Sequence, residues 1–341
     1  MKTRKLVFSK YSTLKKAYNL ILAQLQWRFL KNTRVRTYPV MLTVCPGNIC
    51  NLNCALCPTG QNDRGRKKGF LKFERFKKLM DECGPYLYHL HLYNWGEPLL
   101  NKEIFKMVRY SKRFKLKVII STNLKYFNDK ICSELVASGV DDIVVSLDGA
   151  SQASVNRYQV GNNFKEVIDN MKRLVDRKKE LKLNTPNITW RFLVNSFNEG
   201  EIEQAKTISQ KIGVDKIRFN KFRCDMGNEL LLNSEEQFVN VEEWLPADES
   251  LSMYDYSKKE KKKIRGCRWL WLQSSINWNG SVSPCCAVWH EKFDFGNASD
   301  TSFFQIWNSS DYLEARKIAR GEKIDSTENI CSICYSNKAI I

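Results

Sequence analysis

The sequence lacks any apolar run long enough to cross a membrane, and its first 40 residues contain no acidic side chain. A membrane span needs about 20 predominantly apolar residues, and no segment approaches that length. The leading segment also lacks the continuous apolar stretch and small-residue cleavage site of a secretory signal peptide. We therefore expect a cytoplasmic protein whose cysteines are reduced, because disulfides persist mainly in oxidising compartments.

Basic residues are in excess, with 55 Lys or Arg against 37 Asp or Glu and a formal net charge of +18. Ten of the basic residues precede residue 41. Ser12 or Thr13 can cap a helix there. Its apolar residues recur at steps of three and four, at Leu14, Tyr18, Ile21, Leu22, Leu25 and Phe29. We predict a basic amphipathic N-terminal segment, 1–37, that either packs on the main domain or contacts an anionic membrane surface.

Short strand-like runs alternate with longer helical patterns from Tyr38 onward, which is typical of a parallel α/β fold. The predicted strands are 39–44, 89–93, 117–121, 142–147, 188–194 and 216–220. We predict a partial (β/α)6 barrel, similar to a TIM barrel, over residues 38–222.

The pattern weakens after this predicted barrel. Residues 223–266 end in a lysine-rich run, 258–263, and are predicted to be a linker or a solvated helix. The last segment, 267–341, carries five cysteines and an Asn-Gly pair, Asn279 and Gly280, between two strand-like runs. Such a pair predicts a β-hairpin, and we expect a small second domain here.

Three cysteines follow the first predicted strand, where residues 50–57 read CNLNCALC. Active sites of β/α barrels form at these strand ends. Three thiolates at this spacing can ligate three irons of a cubane cluster and leave the fourth iron open. A closed zinc site, which needs four ligands, is the alternative. The predicted ligands are Cys50, Cys54 and Cys57.

This three-cysteine loop resembles the signature of the radical S-adenosylmethionine (radical SAM) superfamily, and the resemblance extends over about residues 38–222. Gly96, Glu97 and Pro98, at the end of the second strand, resemble the family's Gly-Glu-Pro motif. The resemblance implies that they meet the amino group of S-adenosylmethionine. It also implies a catalytic [4Fe–4S] cluster in the cysteine loop.

Polar side chains end the third and fourth strands in the same way. The resemblance implies that they approach the methionine carboxylate and the ribose, and they are Ser121, Asn123, Ser146 and Asp148. Either Arg157 or Arg191 would hold the carboxylate, since a guanidinium group matches its geometry.

The cysteines of the last segment form a second group. Its predicted ligands are Cys267, Cys285, Cys331 and Cys334, with Cys286 as an adjacent spare. Their spacing resembles the SPASM and twitch extensions of radical SAM enzymes. Full SPASM domains carry more cysteines than remain here, so the resemblance implies one auxiliary [4Fe–4S] cluster. A structural zinc ribbon is the alternative.

The resemblance implies an enzyme that forms a 5′-deoxyadenosyl radical and removes hydrogen from its substrate, using a flavodoxin- or ferredoxin-type electron donor. An auxiliary cluster can accept an electron, which favours oxidation of a small polar or sugar-like substrate. Cys224, after the sixth strand, is either a hydrogen donor that would suit epimerisation or a buried structural residue. We expect Cys45, Cys83 and Cys132 to be core residues.

Two other functions compete with this one. A peptide maturase is the first, although about 37 residues before the first strand are few for a leader-recognition domain. A zinc-containing nucleic-acid-binding protein is the second, because a strongly positive net charge is typical of proteins that bind nucleic acid. No recognisable nucleic-acid-binding module is present, and the Gly-Glu-Pro motif would be unexplained. We therefore expect no nucleic acid partner.

Overall fold

The computed structural model of this chain describes residues 3–30, 32–222, 241–257, 260–261, 267–322 and 329–336. Its strands are β1 (Met41–Val44), β2 (Asn53–Cys54), β3 (His89–His91), β4 (Lys117–Thr122), β5 (Asp142–Ser146), β6 (Gln159–Val160), β7 (Asn187–Leu193), β8 (Lys216–Asn220), β9 (Tyr254–Asp255), β10 (Glu260–Lys261), β11 (Gln273–Ile276) and β12 (Val282–Ser283). Its α-helices are α1 (Thr3–Val7), α2 (Leu14–Leu25), α3 (Phe73–Cys83), α4 (Ile104–Lys112), α5 (Asp129–Ala137), α6 (Gln152–Tyr158), α7 (Phe164–Glu180), α8 (Ile202–Ile212), α9 (Trp269–Leu272), α10 (Phe303–Trp307), α11 (Ser310–Ile318) and α12 (Ile330–Ser336).

The main sheet has the strand order β12-β11-β1-β3-β4-β5-β7-β8. Neighbours from β1 to β8 in this order are parallel, and helices connect them. All six predicted strands are present in their predicted sequence order. The α/β architecture with a mostly parallel sheet is therefore confirmed.

The two faces of the sheet differ in chemistry. In β4, Val118 and Ile120 are fully buried in the core, whereas the alternate residue Ser121 is half-buried on the other face. In β7, Trp190 is fully buried and its neighbour Arg191 is half-buried. Because side chains alternate between faces, one face packs against the helices and the other is a polar inner face.

The hairpin predicted in the last segment extends the main sheet. β11 pairs in parallel with β1 and antiparallel with β12, so the start of the predicted second domain continues the same sheet. Gly280 turns this hairpin with φ of 90°, a conformation that side chains other than glycine rarely adopt. Every residue of β11 is buried, because the strand has a neighbouring strand on each side.

The predicted linker is in part a packed segment. Trp244 and Tyr254 are buried in one apolar cluster with Leu56 and Phe222, so residues 241–257 cover the cysteine loop. β10 pairs with β9, so the solvated helix predicted here is wrong for residues 260–261. The prediction for residues 223–240, 258–259 and 262–266 lies outside the described residues.

The N-terminal helix α2 closes the end of the sheet where the strands begin. The side chain of Thr13 accepts a hydrogen bond from the backbone N–H of Lys16, which confirms the predicted cap. Lys16 is buried, and its Nζ donates to the carbonyls of Phe114 and Lys115, just before β4. In the described part of the chain, no helix is both long and apolar enough to cross a membrane.

Candidate active site

The three-cysteine loop is attached to the segment that follows α6. β2, which contains Cys54, pairs with β6, and Cys54 lies opposite Gln159. The backbone N–H of Ala55 also donates to the carbonyl of Tyr158 at 2.9 Å. Gln159 connects this pair to the main sheet, because its side chain accepts from the N–H of Asp148 and donates to the carbonyl of Ser146. The loop is therefore fixed against the carboxyl end of β5.

Gly96 packs against the start of the same loop. A Cβ atom at Gly96 would lie 2.3 Å from the carbonyl oxygen of Gly47 and 2.7 Å from that of Ile49. The next residue, Glu97, donates its backbone N–H to the carbonyl of Ile49 at 3.0 Å. The predicted Gly-Glu-Pro motif thus touches the cysteine loop through its backbone, and only glycine fits at its first position.

The Glu97 carboxylate fixes the end of β4. It is 2% exposed, and it accepts hydrogen bonds from Thr122 Oγ1 at 2.7 Å and from the N–H groups of Leu99 and Asn123 at 3.0 and 2.8 Å. Burial raises the pKa of Glu97 to about 7, and these hydrogen bonds oppose the rise. Pro98 begins the short 3-10 helix that follows.

Asn123 reaches the cysteine loop with its side chain. Its Nδ2 donates to Asn51 Oδ1 at 2.8 Å and lies 3.7 Å from Cys50 Sγ. Ser121 and Ser146, on neighbouring strands, are joined by a hydrogen bond of 3.1 Å between their hydroxyl groups. The structure therefore brings together the polar strand ends that the sequence indicated.

Asp148 and Arg191 are two charged side chains beside the cysteine loop with incomplete hydrogen bonding. Asp148 Oδ1 accepts from the N–H of Leu193 at 2.7 Å, and Oδ2 lies 3.8 Å from Arg191 Nη2. Asp148 Oδ2 and Arg191 Nε are buried and have no hydrogen-bond partner. Burial raises the pKa of Asp148, and Arg191 opposes the rise. Buried unpaired polar atoms are costly, so this pair suits a polar ligand.

Arg157 occupies a different environment. It is exposed, and its guanidinium group lies 5.0 Å from the ring of Phe197. Arg191, by contrast, interacts electrostatically with Cys54 and Cys57. Of the two arginines that the sequence left open, the structure places Arg191 beside the cysteine loop.

The thiols of the loop share one buried environment. Burial raises the pKa of Cys50 to about 11 and raises the pKa values of Cys54 and Cys57. The neighbouring thiols raise the pKa of Cys54 further, and Arg191 lowers it. A bound metal centre would reverse this effect by stabilising the thiolates, so the three residues fit an iron–sulfur cluster.

The second cysteine group is assembled from three parts of the chain. Cys267 precedes α9, Cys285 follows β12, and Cys331 and Cys334 lie on α12. Burial raises the pKa values of Cys285 and Cys331, and electrostatic interactions with the other members of the group raise them further. The four predicted ligands therefore lie within range of one another's charge.

No three His, Cys, Asp or Glu side chains within the described ranges converge closely enough to ligate a single metal ion. An iron–sulfur cluster does not need three ligands around one ion, because each thiolate binds a different iron. Of the remaining cysteines, Cys45, Cys83 and Cys132 are buried, as predicted for core residues. Cys224 lies outside the described residues.

A buried ion pair connects the cysteine loop region to the last segment. Arg66 Nη1 lies 2.7 Å from Asp294 Oδ2, Nη2 donates to Oδ1 at 2.9 Å, and Nε donates to the carbonyl of Trp289 at 2.7 Å. Trp95, beside Gly96, donates its indole N–H to the carbonyl of Val288. Sequence reasoning missed these residues, because the pairs are about 200 positions apart and no local pattern marks them.

The polar inner face includes His91 and Tyr93, at the end of β3. The Tyr93 hydroxyl and His91 Nδ1 are 3.1 Å apart, and the two rings stack with centroids 5.3 Å apart. Tyr93 interacts electrostatically with Cys286, Arg191 and Arg218. Sequence reasoning missed these residues too. The alternation of His89, His91 and Tyr93 along the predicted strand 89–93 was the available signal, since alternate residues of a strand share a face.

Comparisons with known proteins agree with this organisation. Residues 44–190 match the Radical SAM superfamily, and residues 267–335 match SPASM, described as an iron-sulfur cluster-binding domain. The tungsten-containing aldehyde ferredoxin oxidoreductase cofactor-modifying protein of Pyrococcus furiosus is 24% identical over 292 residues, which are 80% of this chain and 81% of that protein.

Solved structures share the fold. SuiB of Streptococcus suis, bound to S-adenosylmethionine, aligns with a TM-score of 0.62 and 15% identity, over 94% of this chain and 77% of that one. BtrN, in complex with AdoMet and 2-DOIA, aligns with a TM-score of 0.51 and 17% identity, over 85% and 92% of the two chains.

Proposed function

We propose, from the premise that this chain is a radical SAM enzyme with a C-terminal SPASM domain, that it oxidises a small polar substrate bound at its polar inner face. The cofactors are a catalytic [4Fe–4S] cluster, S-adenosylmethionine and an auxiliary iron–sulfur cluster. In this proposal, Cys50, Cys54 and Cys57 hold the first cluster. One auxiliary [4Fe–4S] cluster is held by Cys267, Cys285, Cys331 and Cys334.

When bound, the cofactors would supply a radical abstraction of hydrogen and an acceptor for the remaining electron, so that the substrate would lose two hydrogens in all. The protein's own contribution is to bind and orient the cofactor and the substrate and to exclude water. Asp148 and Arg191 would offer S-adenosylmethionine one acceptor and one donor that have no hydrogen bond within the protein. Glu97 holds the end of β4, and through it Asn123, in place beside the cysteine loop.

The position of Tyr93 is the observation that carries the oxidation proposal. Tyr93 interacts electrostatically with Arg191, from the cofactor side, and with Cys286, which adjoins the auxiliary ligand Cys285. Two residues further along the chain, the indole N–H of Trp95 donates to the carbonyl of Val288 at 3.2 Å, so the end of β3 contacts the segment that carries Cys285. A substrate beside Tyr93 would therefore lie between the two cysteine groups. The surrounding side chains, including His91 and Arg218, are polar or charged, which favours a small hydroxylated or anionic substrate over an apolar one.

Iron content and cofactor cleavage test the assignment of the two clusters. Anaerobically reconstituted protein should bind about eight irons, four in each cubane, and release 5′-deoxyadenosine on reduction with excess S-adenosylmethionine. Cys54→Ala should abolish the release, whereas the matched control Cys132→Ala should leave it unchanged. The double variant Cys267→Ala/Cys285→Ala should bind about four irons and still release 5′-deoxyadenosine. Stoichiometric zinc with no cleavage would refute the proposal.

Substrate panels test the oxidation and distinguish it from two alternatives. Reduced enzyme is supplied with aminocyclitols and free sugars in one series and with short peptides in another. We expect the small polar compounds to stimulate 5′-deoxyadenosine formation and to yield a product that has lost two hydrogens. A product of unchanged mass that carries solvent deuterium would indicate epimerisation. Stimulation by peptides alone would indicate a maturase.

The electron donor and the location of the enzyme belong to the same proposal. Cleavage of S-adenosylmethionine needs an external electron, and a small protein of the flavodoxin or ferredoxin type would supply it in the cytoplasm. Lysines and arginines outnumber acidic residues by 55 to 37, and the net charge of +18 suits an acidic donor protein. Reduced flavodoxin should replace dithionite in the cleavage assay, with a rate that falls as salt is added.

A further inference from the structure

The N-terminal helix α2 buries polar as well as apolar side chains. Leu20 and Ala23 are fully buried in the main core, and beside them lie Lys16, Asn19 and Gln26, at 1%, 4% and 1% exposure, the last in the π-helical turn Gln26–Leu30 that continues α2. The buried polar groups are satisfied internally, for example by two hydrogen bonds between Asn19 and the backbone of Tyr38. The helix is thus attached by a mixed polar and apolar side, while larger apolar side chains such as Leu14, which is 93% exposed, lie on its outward side.

The outward side is a continuous apolar strip. We define it as the apolar face, formed by Leu14, Tyr18, Ile21, Leu25 and Phe29, all exposed. Successive members are three or four residues apart, so they lie on one side of the helix. Seven of the twelve large hydrophobic residues that are exposed in the described part of the chain lie between Phe8 and Leu30. Such a concentration marks an interaction surface.

Basic side chains border this face. Lys10, Lys15 and Arg28 are exposed, and each lies against an aromatic ring, at 5.1, 4.3 and 5.3 Å from the ring centre. The first 40 residues contain ten Lys or Arg and no Asp or Glu. An exposed apolar strip bordered only by positive charge within its own segment is complementary to the surface of an anionic bilayer.

We propose that the apolar face docks this protein on an anionic membrane surface, with α2 lying in the plane of the interface. The apolar side chains would enter the headgroup region while the bordering lysines and arginines attract lipid phosphates. Since α2 closes the end of the sheet where the strands begin, the cysteine loop at the opposite end stays accessible. Docking would therefore concentrate the enzyme at the membrane without blocking its site. This surface is separate from the proposed function and does not depend on it.

Vesicle flotation of the full-length holoenzyme tests the proposal. Wild-type protein is mixed at low salt with vesicles of phosphatidylcholine alone or with one third phosphatidylglycerol. We expect flotation with the anionic vesicles only, and its loss at high salt. The triple variant Leu14→Ser/Ile21→Ser/Phe29→Ser should lose most of the floated fraction. The matched control Leu181→Ser/Leu183→Ser, which changes two exposed leucines elsewhere, should float like the wild type.

Cofactor cleavage and sedimentation, measured beside flotation, distinguish loss of membrane docking from misfolding, loss of activity and self-association. Release of 5′-deoxyadenosine by the triple variant should equal that of the wild type, and flotation itself requires no turnover. Equal flotation of the triple variant and the wild type would overturn the proposal, as would no flotation of the wild type. Sedimentation tests a third outcome. If the wild type is a dimer, the triple variant is a monomer and neither protein binds vesicles, the apolar face joins two copies of this chain and the proposal is overturned.

Discussion

Asp148 and Arg191 face each other at the carboxyl ends of β5 and β7, with 3.8 Å between Asp148 Oδ2 and Arg191 Nη2. Each of the two residues keeps one buried polar atom without a hydrogen bond. Two side chains that satisfied each other fully would lie at hydrogen-bond distance. In the function proposed above, the free acceptor and donor would bind a ligand with both a positive and a negative group, such as the amino acid part of S-adenosylmethionine.

Replacement of Arg191 by lysine tests this reading. Lysine keeps the charge but loses the forked geometry that recognises a carboxylate. Loss of a charged hydrogen bond costs about 1.5–3 kcal/mol, so Arg191→Lys should weaken S-adenosylmethionine binding roughly 10- to 100-fold. The dissociation constant, measured by titration of the reconstituted protein, checks this. Arg157→Lys is the control and should bind like the wild type. Equal weakening in both variants would contradict the assignment.

Gly96→Ala should prevent assembly of the first cluster while leaving the second intact. The added Cβ would lie 2.3 Å from the Gly47 carbonyl oxygen, a distance that forces the cysteine loop to move. Iron content should therefore fall from about eight to about four atoms per chain, and 5′-deoxyadenosine release should be lost. Gly200→Ala is the matched control, because a Cβ there would meet nothing within 4 Å. If Gly96→Ala binds about eight irons, the loop can move to accommodate the methyl group without losing the cluster, and the prediction is wrong.

The sequence predicted those parts of the protein that depend on local patterns. The six strands from β1 to β8 in the main sheet followed from the alternation of strand-like and helical runs, and the cysteine loop followed from close spacing. The pairing of β11 with β1 did not follow from any such pattern. The ion pair between Arg66 and Asp294 could not be predicted, since its partners are 228 residues apart. Likewise, the spacing of charged residues could not tell Arg157 from Arg191. Arg157 lies on α6 and is exposed, whereas Arg191 lies on β7 beside the loop, and this difference depends on how the helix packs on the sheet.

The N-terminal helix shows a different limit of sequence reasoning. Helical periodicity established that Leu14, Tyr18 and Phe29 share a face, and the structure agrees. Periodicity does not say what covers that face, however. Lys16 lies on the side away from the apolar stripe, as an amphipathic helix predicts, but it is buried, because three backbone carbonyls accept hydrogen bonds from its ammonium group.

The buried ion pair between Arg66 and Asp294 should contribute strongly to stability. The Arg66 side chain is fully buried, and Asp294 is 7% exposed. Arg66→Met leaves the carboxylate buried without its partner, which typically costs about 3–5 kcal/mol. The midpoint of urea denaturation should fall accordingly. Lys77→Met, which removes one partner of an exposed pair, is the control and should leave the midpoint unchanged. Recovery in the double variant Arg66→Met/Asp294→Leu would show that the unpaired charge causes the loss.

The hydrogen bond between Tyr93 and His91 involves an imidazole whose environment favours the neutral form. Burial and the neighbouring His89, Lys117 and Arg218 together lower the pKa of His91 from 6.5 to about 4, against the effect of Asp142. The neutral ring can either accept or donate at Nδ1, whereas the imidazolium can only donate. Protonation of His91 would therefore restrict this contact to one direction and place a buried positive charge near others.

Stability should consequently fall in mild acid in a way that depends on His91. Since the folded state lowers the pKa, the contribution of the neutral ring is fully present above pH 6.5 and is lost as the pH falls towards 4. One such proton changes the free energy of unfolding by at most about 1.4 kcal/mol per pH unit. His91→Gln keeps an acceptor for Tyr93 but does not titrate. Urea denaturation at pH 7.5, 6.5, 5.5 and 5.0 should show a smaller loss of stability in this variant, because the carboxylates that titrate in both proteins cancel in the comparison. Parallel curves for the two proteins would mean that His91 takes up its proton in the folded state without cost.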